Sequence, residues 1–187
     1  YFYQRKEIKD VLAYLRLIVN SKDEESLKRV INYPARGIGQ STIDKLVVKA
    51  KENDCSIFEI LERIEELGTG INSGTRTKLA NFSMMMKSFQ VLNETSNAFE
   101  IADAITKKTG LVQELKKDGT PEAVTRIENI EELLNGIKDF IEGQRELADM
   151  TGSLTEFLED VALISDLDQG SENDDRVSLM SIHMAKG

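Results

Sequence analysis

The residues best placed to do chemistry lie in one short segment, Arg36-Gly37-Ile38-Gly39. Two glycines two apart can take positive φ that other residues resist. The isoleucine between them can plug into a core and fix the turn. The segment continues Gln40-Ser41-Thr42-Ile43, so a helix opening after Gly39 points its first N–H groups outward. Those free donors, reinforced by the helix dipole, form an anion site. Arg36, Ser41, Thr42 and Lys45 stand where they could add side-chain contacts to a phosphate. Such contacts grip a nucleic-acid backbone and carry no base sequence. A Gly-x-Gly between two helices also serves as a plain tight connection, and the tripeptide alone does not separate the two readings.

Charge favours the anion reading locally. Residues 26–51 hold Lys28, Arg29, Arg36, Lys45, Lys49 and Lys51 against Asp44 alone, a net +5 in a chain of net charge −9. A basic stretch within an acidic chain suggests one face meant for an anion and others kept clear of it. A second candidate contact is Thr125, Arg126 and Asn129, one turn apart on a helix, where a salt-bridged face fits equally well. The paired acids Asp174-Asp175 and Glu131-Glu132 are too common on solvated faces to argue acid–base catalysis. Met84-Met85-Met86 reads as core and surface, with Met86 on a helical stripe. Phe2, Tyr3 and Tyr14 suit packing better than base stacking.

The elements that must hold these residues are helical. Ile8, Val11, Leu12, Leu15 and Ile18 make one helical stripe. Leu27, Val30 and Ile31 form a short second helix, ended by Pro34. A third follows Gly39, with Ile43, Leu46, Val47 and Ala50 inward. Ser56, with Glu59 three residues on, caps a fourth that buries Ile57, Leu61 and Ile64. Residues 68–74 read as a loop. A longer helix carries Leu79, Phe82, Met86 and Phe89, and another holds Ile101, Ala102 and Ile105, with Gly110 as its terminal glycine. A short helix spans roughly residues 111–117. Thr120-Pro121-Glu122 opens a long helix with Val124, Ile127, Ile130, Leu134, Ile137 and Ile141 on one stripe. Ser153 caps a helix burying Leu154, Phe157, Leu158 and Val161. Residues 166–175 read as an acidic loop, and 177–182 as the one credible strand. The fold class is all-α: a helical, bundle-like insertion with a helix-hairpin-helix-like element and one short strand near the C-terminal end.

Composition agrees. Of 187 residues, 40% are hydrophobic and 30% charged, with only 12 Gly and 2 Pro, which favours helices over sheets and over disorder. The single cysteine, Cys55, cannot close an internal disulfide, and His183 has no partner at metal-ligand spacing. These features predict an intracellular, cytoplasmic chain, with no membrane partner and no metal. A first residue other than Met and an end at Met184-Ala185-Lys186-Gly187 read as cut ends of an excised segment.

Four stretches resemble one family in order and spacing. Residues 2–16, Phe-Tyr-Gln-Arg-Lys-Glu-Ile-Lys-Asp-Val-Leu-Ala-Tyr-Leu-Arg, resemble a stretch of the UvrD/PcrA/Rep-type superfamily-one DNA helicases. Arg36-Gly37-Ile38-Gly39 resembles the hairpin of that family's 2B subdomain. Residues 125–133, Thr-Arg-Ile-Glu-Asn-Ile-Glu-Glu-Leu, resemble a further family segment. Residues 177–187, Val-Ser-Leu-Met-Ser-Ile-His-Met-Ala-Lys-Gly, resemble its motif V, with Ser181 where threonine is usual.

The resemblance implies part of an ATP-dependent helicase moving 3′ to 5′ along single-stranded DNA. Residues 1–22 would flank the second RecA-like motor domain, 23–172 would form the helical 2B-type insertion, and 173–187 would return to the motor. Gly37, Ile38 and Gly39 would meet duplex DNA. Ser181, His183 and Lys186 would lie beside the single-strand track, while Arg5 and Glu7 match a motif where a structural role is at least as fitting. ATP and Mg²⁺ would serve the parent protein and bind none of this segment. Partners would be DNA, at a junction of duplex and single strand, and repair or replication proteins. Two alternatives stand beside this: a helical protein-interaction or regulatory module, and part of an AddA/RecB-like helicase–nuclease subunit.

Overall fold

The computed structural model describes residues 1–147 and 149–173. Among them the chain is helical throughout, with no strand: a short 3₁₀ turn at Phe2–Gln4, then α1 (Lys6–Val19), α2 (Glu24–Val30), α3 (Gln40–Glu52), α4 (Ile57–Glu62), α5 (Ser73–Asn93), α6 (Ala98–Lys108), α7 (Leu111–Asp118), α8 (Pro121–Arg145) and α9 (Leu154–Asn173). The strand expected at 177–182 lies outside the described residues.

α1 is the central helix. It packs against α2, α5, α6, α8 and α9, and Ile8, Val11, Leu12, Leu15 and Leu17 are all buried. Each such side chain contributes about 1.5–3 kcal/mol relative to exposure. The core is continuous across the 22/23 boundary expected from sequence, because α1 supplies its middle.

Most helix starts follow the local chemistry. Side chains of Asp23, Ser56, Asn72, Asn97 and Thr120 each accept a hydrogen bond from a first-turn N–H, and Ser56 with Glu59 completes a capping box. Ser153 caps α9 in the same way. Gly110 and Gly119 take positive φ on either side of α7.

Three expectations change. Residues 166–173 are helical, since α9 runs to Asn173; acidic residues do not break a helix, and the single Gly170 costs only about 1 kcal/mol relative to alanine. Ser73 and Gly74 belong to α5, because Asn72 caps it. Val124 is exposed and Ala123 takes the buried position, a shift of about 100° around α8.

Candidate nucleic-acid interface

The turn between α2 and α3 is fastened at three points. Ile38 is 1% exposed and plugs the core. The Asn32 side-chain oxygen accepts from the backbone N–H of Arg36 at 2.8 Å and of Ile38 at 3.1 Å. The third point is Arg36, whose guanidinium folds inward. Its Nη1 donates to the carbonyls of Val30 at 2.7 Å, Ile31 at 3.2 Å and Tyr33 at 3.3 Å. Its Nη2 donates to the Tyr14 hydroxyl at 2.6 Å, and its Cζ lies 5.1 Å from the Phe82 ring centroid. The cation thus covers the open carbonyl end of α2, where the helix dipole favours positive charge. The phenol of Tyr14 donates in turn to the Tyr33 carbonyl. Burial pushes the Tyr14 phenol above its ordinary value of 10.0, against the opposing pull of Arg36. It therefore stays protonated, able to donate and accept at once.

The geometry of Arg36 differs from the outward-facing side chain that its position in the sequence suggested: its guanidinium is engaged with carbonyls, a phenol and an aromatic face. The backbone also divides the two glycines. Gly37 has φ +76, the left-handed region that favours glycine. Gly39 has φ −86 and ψ 172, extended backbone that any residue adopts, and a Cβ built there meets nothing within 4 Å.

The N-terminus of α3 is left open. Gly39 is its N-cap and offers no side-chain hydrogen bond. Gly39, Gln40 and Ser41 are exposed and Thr42 is half-buried. Lys45 is exposed, with Nζ donating to the Gly70 carbonyl at 3.3 Å. Sequence reasoning missed Lys78 on α5. A Cβ built on Gly37 would lie 2.6 Å from its Nζ, so its ammonium stands over the hairpin. Lys78 is exposed and forms no salt bridge among the described residues. Nothing local in the sequence signals it; only the packing of α5 brings it there.

Of the remaining local cations, Lys28 and Lys51 are exposed and in no salt bridge among the described residues, while two are engaged. Arg29 pairs with buried Asp10 at 2.8 Å and Lys49 with Glu52 at 3.4 Å. Desolvation raises the Asp10 carboxyl above its usual value, and Arg29 opposes that shift. The net +5 of the segment therefore overstates the charge free to meet an anion.

The side chains of the second candidate contact bond within the chain. Asn129 accepts from Arg5 Nη1 at 2.6 Å and donates to Glu7 Oε1 at 2.6 Å, so both ends of its amide are used. Thr125 donates to the Pro121 carbonyl at 3.1 Å, and Arg126 pairs with Glu122 one turn earlier at 2.5 Å. Asn129 thus joins α8 to the start of α1 through Arg5 and Glu7. Ser181, His183 and Lys186 lie outside the described residues.

The profile of the UvrD-like helicase C-terminal domain matches residues 1–187. The chain belongs to that family. Curated relatives include the ATP-dependent DNA helicase PcrA of Staphylococcus aureus, 37% identical over 186 residues, and that of Bacillus subtilis, 35% identical over 192 residues. Each alignment covers 100% of this chain and 25% of the relative, so the chain spans about a quarter of their length. With the family established, the resemblances at 2–16, 36–39, 125–133 and 177–187 belong to one continuous match. No helix among the described residues is long and apolar enough to cross a membrane.

Proposed function

We propose that this chain is the 2B-type region of an ATP-dependent 3′–5′ DNA helicase and that its α2–α3 hairpin holds the backbone of duplex DNA near the fork. The observation that carries the proposal is the open N-terminus of α3: exposed, without a side-chain cap, and set beside the ammonium of Lys78. Backbone N–H groups at such a terminus, with the dipole of a 13-residue helix behind them, attract a phosphate oxygen. Ser41 and Thr42 supply hydroxyls, and Lys45 and Lys78 supply charge. None of these groups reads a base edge, so binding has little sequence preference. Gripping duplex ahead of a motor regulates unwinding by fixing the angle at which duplex meets the single-strand track.

The relatives' names supply the parent activity, and residues 173–187 return the chain to the motor. The described residues contain no group of three or more His, Cys, Asp or Glu able to hold a metal ion. In this proposal ATP and Mg²⁺ serve the motor of the parent helicase, and no step of their chemistry is assigned to residues here. Cytoplasmic location and contact with repair or replication proteins belong to the same proposal. A protein-docking role draws on Met84 and Val91, exposed at 65% and 64% and seven residues apart on α5.

The test is fluorescence anisotropy with a tailed duplex at several salt concentrations. Lys45→Ala with Lys78→Ala should weaken binding and flatten the log–log salt slope by about 0.9 for each phosphate that is no longer neutralised. Binding and slope equal to those of the parent protein would refute the hairpin grip.

A further inference from the structure

The Arg36–Tyr14 hydrogen bond ties the hairpin to α1, and the phosphate reading leaves it without a role. Tyr14 is fully buried in the middle of α1. Its hydroxyl lies 2.6 Å from Arg36 Nη2, while Arg36 Nη1 gathers three carbonyls from the end of α2. The side face of the guanidinium lies against Phe82 of α5. One planar group thereby joins three helices to the turn. α1 begins at residues whose side chains are tied to α8 through Asn129. The path from the chain's N-terminal flank to the hairpin is thus one packed helix and one charged fork.

We infer that Arg36 is a positioning residue for DNA binding, acting through Tyr14 to hold the α3 N-terminus in place relative to α1, and does not itself touch phosphate. This rests on the hairpin reading above. The chemistry needs arginine. A lysine offers one compact ammonium and cannot reach three carbonyls and a phenol from one rigid plane. It also needs the tyrosine hydroxyl, which is a buried acceptor for the fork and has no route to DNA.

The test uses the full-length protein, with a tailed duplex and single-stranded DNA as probes. The readouts are anisotropy, single-strand-stimulated ATPase and thermal melting. Tyr14→Phe should weaken duplex binding roughly five-fold, the value of one net hydrogen bond, and Arg36→Lys, which also loses carbonyl contacts, by at least as much. The kcat of ATPase on single-stranded DNA should not change. The double variant should bind no worse than the weaker single variant, because Tyr14 acts on the hairpin through Arg36. Three outcomes overturn the inference. In the first, Arg36→Lys binds as the parent does while Arg36→Ala loses about 0.9 in salt slope, the mark of a direct phosphate contact. In the second, Tyr14→Phe and Arg36→Lys are both neutral. In the third, kcat and melting temperature fall together with binding, which marks general unfolding. Lys45→Ala with Lys78→Ala, measured in parallel, separates the readings: if those variants lose binding while Tyr14→Phe does not, the hairpin grip stands and only the positioning role fails.

Discussion

Replacing Gly39 with aspartate should move stability and DNA binding in opposite directions. Gly39 is the N-cap of α3, its φ and ψ of −86 and 172 suit any residue, and a Cβ there meets no atom within 4 Å. Aspartate is among the best N-caps, better than glycine by a few tenths of a kcal/mol. Its charge at the positive end of the helix adds about 0.3–1 kcal/mol. The sum, roughly 0.5–1.3 kcal/mol, raises the melting temperature by about 1–5 °C for a chain of this size. The same carboxylate takes the N–H of Ser41 or Thr42 and places negative charge where a phosphate oxygen would sit. Losing the helix-end attraction, about 1 kcal/mol, and adding a repulsion of similar size weakens duplex binding about thirty-fold at low salt. Thermal melting and anisotropy on the same preparation read both quantities. A variant that is more stable yet binds duplex unchanged refutes the anion site. A variant that is less stable refutes the account of the Gly39 backbone.

Four other outcomes follow from the geometry. Gly37→Ala should destabilise by about 1–2 kcal/mol, because φ +76 disfavours any side chain; an unchanged denaturant midpoint would contradict that backbone. Ile38→Ala should cost about 2–4 kcal/mol in a denaturant melt, the usual loss for a buried aliphatic side chain. Asn129→Ala should cost about 1–2 kcal/mol by breaking its links to Arg5 and Glu7, with no change in the salt slope of DNA binding, since an uncharged amide neutralises no phosphate. Glu156 accepts from the backbone N–H groups of Thr151, Gly152 and Ser153, which hold its carboxyl below the usual 4.5. A lowered folded-state value gives stability that is present above the unfolded value and lost as pH falls through the folded one. Glu156→Gln should therefore flatten the acid limb of the stability profile below pH 4.5, read by urea titration at several pH values.

The helices and their starts are legible in the sequence because their causes are local. The stripe on α1, the capping box at Ser56, and Thr120-Pro121-Glu122 at the start of α8 each work within about four residues, the reach of one helical turn. α9 extends further than its acidic composition predicts, because a helix can carry charge on its solvated faces without breaking. The hairpin is visible as a turn with a buried isoleucine and a helix opening after it. Its side-chain roles are not, since they depend on which helix faces the turn.

The all-helical class, the Gly37-Ile38-Gly39 turn and membership of a helicase family rest on short-range pattern or continuous motif, so the order of residues settles them. Tertiary structure alone decides that Arg36 turns inward to Tyr14, that Asn129 joins α8 to α1, and that Lys78 stands over the hairpin. A side chain's charge is written in the sequence. Whether that charge faces solvent or a buried carbonyl is set by the packing of helices far apart in the chain, and packing decides which cations remain free to meet an anion.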